Sequence, residues 1–138
     1  MRSRVRKSAH VLERIGLAMA GAACGLFVAA HVGSSISYLT TQGFLLVMMI
    51  IGAIGFYLGI DTPQRPFLPD DDHTNIDAAE FLSAVGTFLA TGTAFVSVAI
   101  IILHEEPHIA WTILIGLGWV AGVFMQIVAG AIARARAV

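Results

Sequence analysis

Histidine and glutamate are concentrated in the segment 104–108, which reads His-Glu-Glu-Pro-His. Imidazole nitrogens and carboxylate oxygens are side-chain ligands that divalent transition metals bind well. A further histidine ends an earlier apolar stretch, and we expect it on the same side of a membrane as this segment. The candidate metal ligands are therefore His31, His104, Glu105, Glu106 and His108.

The spacing within this segment limits what it can bind. His104 and His108 are four residues apart, which would place both on one face of a helix, but Pro107 interrupts the helix between them. The segment is therefore not the zinc-protease motif, which needs an unbroken helix. Three alternatives remain: a solvated connecting loop, contact with a metal or haem that can be shared with a partner, and haem ligation by His31 and His104. No cofactor is predicted outright.

The elements that position these residues are apolar helices. The sequence is 57% hydrophobic and only 12% charged, with a mean hydropathy of +0.83, whereas soluble domains carry about 25% charged residues. A bilayer core needs about 20 apolar residues to cross. We therefore expect an all-α integral membrane protein, a four-transmembrane-helix bundle of two helical hairpins in a single domain over 1–138. Its parts are a basic arm at 1–14, spans at 15–32, 37–60, 77–104 and 108–133, and an acidic, proline-rich loop at 61–76.

Local signals predict where the spans begin and end. A tight turn is expected at 33–35, which reads Gly-Ser-Ser. Asp77 and Glu80 have the spacing of a capping box at the start of the third span. Pro107 suits the first turn of the fourth span. The first apolar run is expected to stay as a helix, because it is longer than the core of a cleaved signal peptide.

The basic residues predict the orientation. With four spans, all of them lie on one side of the membrane, and Lys and Arg are enriched on the cytoplasmic side. We therefore expect both termini in the cytoplasm of a cell with a bacterial-type inner (plasma) membrane. The basic residues are Arg2, Arg4, Arg6, Lys7, Arg14, Arg65, Arg134 and Arg136.

Small residues predict how the helices pack. Helices in lipid associate through close backbone approach at small residues and through interhelical hydrogen bonds. Packing inside one bundle is the first interpretation, and docking of another subunit on a small face of the first span is the alternative. Gln126 is expected to hydrogen-bond a second helix, the alternative being contact with a substrate or ion. The predicted packing residues are Gly21, Gly25, Gly55, Gly59, Gly118, Gly122 and Gln126.

The sequence favours a non-catalytic role. No Asp, Glu, Lys or Arg falls in the middle of any predicted span, whereas ion-coupled transporters usually place a charged residue there. No phosphate-binding glycine loop and no Ser/His/Asp set on one side is present in the sequence. The first hypothesis is an accessory or scaffolding subunit of a larger membrane protein complex, in contact with lipid and with other membrane subunits or itself. A small homo-oligomeric transporter or channel, and a metal- or haem-binding redox subunit, are the alternatives. The net charge of -1 indicates no nucleic-acid partner.

Overall fold

The computed structural model describes residues 2–59 and 78–137, with side chains described from residue 7 onwards. The predicted acidic loop at 61–76, with Arg65 and the capping residue Asp77, lies outside the described residues. Four α-helices are present in the described part of the chain. They are α1 (Arg2–Ser35), α2 (Gln42–Gly59), α3 (Ala78–Leu103) and α4 (Ile109–Ala137).

All four helices are long and apolar enough to cross a membrane. Each contains a window of 18 residues with a mean hydropathy of 1.9 to 2.1. Most of the large apolar side chains on their outer faces are exposed within the chain, as expected for helices that meet lipid rather than water. The prediction of an all-helical, multi-pass membrane protein is therefore confirmed.

The helices extend beyond the apolar spans at the chain termini. α1 begins at Arg2, well before the predicted span at 15–32, and α4 continues past residue 133 to Ala137. An apolar window marks only the part of a helix that lies in lipid, while Arg, Glu and Ala favour helix on either side of it. With 34 residues, α1 is about 51 Å long. Its N-terminal part therefore projects beyond a bilayer core.

The turn after α1 lies later in the chain than the predicted turn at 33–35. Ser34 and Ser35 remain helical, and their hydroxyls donate to the backbone oxygen of His31 at 2.7 and 3.3 Å. Serine hydroxyls in a helix can satisfy themselves in this way, so their presence does not end it. The chain turns instead through the 3-10 helix Ser37–Leu39.

Two threonines close this turn. The Thr40 hydroxyl donates to the backbone oxygen of Gly33 at 3.0 Å, which ties the turn to the end of α1. The Thr41 hydroxyl accepts from the backbone N–H of Phe44 at 3.3 Å and so caps α2. α2 therefore starts at Gln42 rather than at residue 37.

The four helices pack mainly as two neighbouring pairs. α1 packs along α2 and α3 packs along α4, with α4 also against α2 and α1 also against α3. α2 and α3 barely touch, so they stand at opposite corners of the bundle. Val28, Trp119 and Val123 lie in the core between the pairs, fully buried.

Glycines allow the paired helices to approach backbone to backbone. A Cβ built on Gly21 would collide with the backbone oxygen of Gly52, and the converse holds for Gly52 and Gly21. A Cβ on Gly86 would lie 2.6 Å from the backbone oxygen of Gly122, in the α3–α4 contact. Only glycine fits at these crossings, because any side chain would force the helices apart.

The remaining predicted packing glycines vary in how closely they are approached. Gly25 lies against the backbone of Met48, and a Cβ on Gly55 would lie 2.7 Å from a methyl group of Val123. A Cβ on Gly118 would lie 3.2 Å from a methyl group of Thr93, and a Cβ on Gly59 would lie 4.0 Å from the amide nitrogen of Gln126. The small face of α1 is thus filled from inside the bundle.

Trp119 is the largest fully buried side chain, and two glycines make room for it. Its Cζ2 atom would lie 3.1 Å from a Cβ on either Gly25 or Gly52. The indole ring of α4 therefore fills the notch that the α1–α2 crossing leaves open. Large rings of this kind contribute strongly to packing because of the area they bury.

Gln126 joins α4 to α3 in the half of the bundle that contains both chain termini. Its amide nitrogen donates to the Thr87 hydroxyl at 2.9 Å, and the side chain is 1% exposed. Its Oε1 atom has no hydrogen-bond partner among the described residues and lies beside Gly55. An interhelical bond of this kind is worth about 0.6 kcal/mol on average in membrane proteins.

The glycine crossing on α1 is testable with a matched pair of substitutions. We expect Gly21→Ala to lower the free energy of unfolding by about 1–3 kcal/mol or more, because the new methyl group overpacks the contact with α2. Gly16→Ala places the same group in open space on the same helix. It should be neutral or slightly stabilising, because alanine favours helix over glycine by about 1 kcal/mol. Thermal unfolding in a neutral detergent, followed by circular dichroism, distinguishes the two, and equal effects would contradict the crossing.

Candidate functional site

A cavity of about 510 Å³ lies at the end of the bundle where α1 and α3 finish and α4 begins. We call this the histidine end, defined by the turn at 36–41 and the connection at 104–108. The cavity wall includes His31 and Ser35 from α1, Ile100 and Ile101 from α3, and Glu105 and Glu106 from the connection. The structure therefore brings together four of the five predicted ligands around one space, since His104 lines it as well.

His31 is the buried member of this group. Its side chain is 1% exposed, and its Nε2 atom has no hydrogen-bond partner among the described residues. A buried polar nitrogen without a partner is unfavourable by about 1–3 kcal/mol. The backbone that carries this imidazole belongs to the last turns of α1, where the Ser34 and Ser35 hydroxyls donate to the backbone oxygen of His31.

Two hydroxyl groups link the end of α1, which lines the cavity, to α4. The Thr112 hydroxyl, fully buried, donates to the Ser35 hydroxyl at 3.4 Å. Ser35 in turn donates to the backbone oxygen of His31 at 3.3 Å. The end of α1 is therefore held against α4 by polar contacts as well as by apolar packing.

His104 ends α3 in a left-handed conformation, with a φ of 53°. Its backbone N–H donates to Ile101 at 3.3 Å, and the N–H of Glu105 donates to Ile100 at 3.1 Å. These two bonds form a Schellman motif, in which glycine is the usual residue at the position of His104. Histidine tolerates this backbone better than most residues but remains strained there. Its Nδ1 atom lies 3.0 Å from the backbone oxygen of Ile102.

His108 has a structural partner at the start of α4. Its Nδ1 atom accepts from the backbone N–H of Ala110 at 3.2 Å, and its backbone oxygen accepts from Trp111 at 2.8 Å. His108 is therefore the N-cap of α4, which begins at Ile109. Pro107 precedes the cap instead of lying in the first helical turn as the sequence predicted. The connection is not helical, in agreement with the sequence argument against a zinc-protease motif.

The candidate metal ligands surround the cavity without converging on a point. Among the residues that the structure describes, no group of three His, Cys, Asp or Glu side chains is close enough to hold a metal ion. His108 is engaged as a cap and does not line the cavity. Metal or haem ligation at this end stays a prediction that would need the connection at 104–108 to rearrange.

The opposite end of the bundle carries the described basic side chains, and we call it the basic end. Arg14 of α1 and Arg134 of α4 lie over the ring of Tyr57 at 5.2 and 5.9 Å from its centre. A cation over the face of an aromatic ring is attracted to the ring, most strongly where water is scarce. Arg14 also donates to His10 at 3.1 Å. The two ends of the bundle thus differ in charge, with Glu105 and Glu106 at the histidine end.

Comparisons with known proteins identify no relative. No family model, no curated protein and no solved structure matches the chain.

Sequence reasoning named Gln126 but missed Thr112 and Trp119. All three side chains are nearly or fully buried and lie seven residues apart on α4. That interval was the available signal, because it keeps side chains on one strip of a helix. Ser35 gave no such signal, since its serine neighbours read equally well as a turn.

The strained backbone at His104 can be tested by substitution. We expect His104→Gly to raise the free energy of unfolding by about 0.5–1 kcal/mol, because glycine adopts the left-handed conformation without a Cβ clash. His104→Val should lower it, since a β-branched residue is disfavoured there. Thermal unfolding in neutral detergent gives the order of the three proteins, and a valine variant as stable as the glycine variant would exclude the strained cap.

Proposed function

We propose that this protein is a non-catalytic accessory or scaffolding subunit of a larger membrane protein complex, and that it docks through the outer face of α3. The observation that supports this role is a row of large apolar side chains at seven-residue intervals, which we call the phenylalanine strip. It consists of Phe81, Phe88, Phe95 and Ile102, with exposed fractions of 54%, 75%, 77% and 66% within the chain.

The interval of seven residues confines these side chains to one narrow strip. On a straight α-helix, positions seven apart drift by only about 20° per interval. A strip of this kind can face a single neighbouring helix along its whole length, as the seam of a coiled coil does. The outward face of a helix that packs in a bundle repeats at this interval whether it meets lipid or a partner, so the period marks the face and the notch within it favours a partner.

A glycine without neighbouring side chains leaves a notch in the phenylalanine strip. Gly92 lies between Phe88 and Phe95 on the same face, and nothing lies within 4 Å of a Cβ built on it. Inside the bundle, Gly25 and Gly52 accommodate Trp119 in a notch of this kind. A side chain from a partner helix fits the notch at Gly92, because helices in lipid associate where small residues permit close approach.

Transport is supported less well by the same geometry. The polar groups of α3 and α4 are turned to their own helices or to each other: Thr93 and Ser97 hydroxyls donate to backbone oxygens at 2.7 and 2.8 Å. Gln126 bonds Thr87 inside the helix contact. Hydroxyls that are satisfied locally provide few free groups to carry a polar substrate.

The orientation we propose places the basic end in the cytoplasm of a bacterial-type cell and the histidine end outside. Arg14 and Arg134 meet at Tyr57, in keeping with two antiparallel hairpins whose termini share one side. Lys and Arg near the ends of membrane helices are enriched on the cytoplasmic side. The carboxylates of Glu105 and Glu106 then face the outside.

Filling the notch on α3 tests the docking role. We expect Gly92→Leu to release the partner subunits when the complex is purified from native membranes in mild detergent. The leucine side chain overpacks the contact by about 1–3 kcal/mol, which weakens association roughly tenfold or more. Native mass spectrometry measures the composition of the purified particle.

Gly16→Leu is the matched control, because Gly16 is equally open on α1 and lies away from the strip. It should leave the complex intact. Phe88→Ala should weaken the complex, and Phe124→Ala, which removes a ring that is 64% exposed on α4, should not. If the wild-type chain purifies alone, or if Gly92→Leu retains all partners, the strip meets only lipid.

The orientation is tested by thiol labelling in intact cells, after Cys24 is replaced by alanine. A cysteine at Glu106 should react with a membrane-impermeant maleimide, whereas a cysteine at Ala137 should react only after the cells are opened. Both positions are exposed within the chain, so differences in burial do not explain the result. The reverse pattern would refute the orientation while leaving the docking surface in place.

A further inference from the structure

The cavity at the histidine end has the chemistry of a site for an organic cation. Its charged side chains are the carboxylates of Glu105 and Glu106, and no Lys or Arg occurs among the described residues that line it. Carboxylates gathered at one opening attract cationic ligands and disfavour anionic ones. The charge of this cavity therefore selects a positively charged group.

The rest of the cavity wall is suited to the apolar part of a small-molecule ligand. Ile100, Ile101, Pro107 and Ile109 contribute to the lining alongside the polar residues. Small-molecule sites are mostly apolar with a few placed polar groups, and their volumes are about 300–1,000 Å³. The volume of about 510 Å³ falls within this range and is far larger than one metal ion requires.

His31 supplies a polar anchor inside this wall. It lines the cavity, its side chain is 1% exposed, and its Nε2 atom has no partner among the described residues. A neutral imidazole can either donate or accept at this atom, depending on the tautomer. A ligand hydroxyl can satisfy both cases, because it is a donor and an acceptor, but since Nε2 is buried the neighbouring side chains of the wall must shift for the ligand to reach it.

A preformed metal site is the competing explanation for the same residues, and the geometry favours it less. The described His, Cys, Asp and Glu side chains include no group of three in reach of one ion. An organic ligand does not need three groups to converge at about 2 Å, because its own length bridges separated partners. The spread of polar groups around the cavity thus fits a molecule rather than an ion.

We propose that this cavity binds an amphipathic organic amine, with its cationic nitrogen at Glu105 and Glu106, its apolar part against the isoleucines, and a hydroxyl on His31. This site is independent of the docking surface on α3. It lies at the end of the bundle, where a ligand can enter from the membrane surface.

Ligand-observed NMR titrations of the full chain in a neutral detergent test this proposal with three probes. Phenethylamine carries the cation, phenethyl alcohol is its neutral counterpart, and tyramine adds a hydroxyl to the amine. We expect phenethylamine to bind saturably and about tenfold more tightly than the alcohol, since two partly solvated carboxylates each contribute a modest attraction. Tyramine should bind more tightly still.

Paired variants assign each preference to its residues. The Glu105→Gln/Glu106→Gln protein should lose the preference for amine over alcohol, because both substitutions remove charge at exposed positions without disturbing the fold. The Glu13→Gln/Glu80→Gln protein removes two carboxylates at the opposite end and should keep the preference. His31→Phe should abolish the advantage of tyramine over phenethylamine.

Equal affinity for amine and alcohol in the wild-type protein would overturn the proposal, as would a preference that survives loss of Glu105 and Glu106. A preference lost equally in the Glu13→Gln/Glu80→Gln control would show that the micelle-bound protein attracts amines by its overall charge. If His31→Phe fails to fold, the two glutamate variants still decide the question.

Discussion

Backbone approach at glycine is the constraint on which this bundle depends. Gly21 and Gly52 bring α1 and α2 into contact, and Gly86 and Gly122 do the same for α3 and α4. In lipid, apolar side chains gain nothing by leaving solvent for protein, so stability comes from dispersion contacts and the few buried hydrogen bonds. Close approach of the helices favours both dispersion contacts and interhelical hydrogen bonds. The crossing of α1 and α2 also creates the notch for Trp119, through which α4 is joined to the other pair.

The same constraint bears on the proposed docking surface. Gly21 and Gly25 of α1 are used inside the bundle, so these two glycines do not form an outward docking face. Gly92 is different, since it lies on the outer side of α3 between two exposed phenylalanines. The sequence alone could not separate these cases. Gly25 and Gly92 both occur in apolar helices with small neighbours, and only their rotation about the helix axis distinguishes them.

Much of the fold was predictable, and its details were not. Lipid demands about 20 apolar residues per crossing, so four spans followed directly from composition along the chain. Helix ends were less predictable, because serine can end a helix or satisfy itself within it, as Ser34 and Ser35 do. Of the candidate site, the sequence predicted which residues share an end. It could not predict that His108 caps α4, because histidine is not among the preferred capping residues. It could not predict that His31 is buried, because that burial depends on contacts that form only when the helices meet.

The burial of Trp119 has an optical consequence. The chain has two tryptophans, and the other, Trp111, is 61% exposed near the start of α4. One indole therefore sits in a dry, rigid interior while the other faces lipid near the bilayer surface, where tryptophan is common. Quenchers attached to lipid chains reach Trp111 and not Trp119. The native fluorescence thus separates into a lipid-sensitive component and a component that reports the integrity of the helix contacts, without any added label.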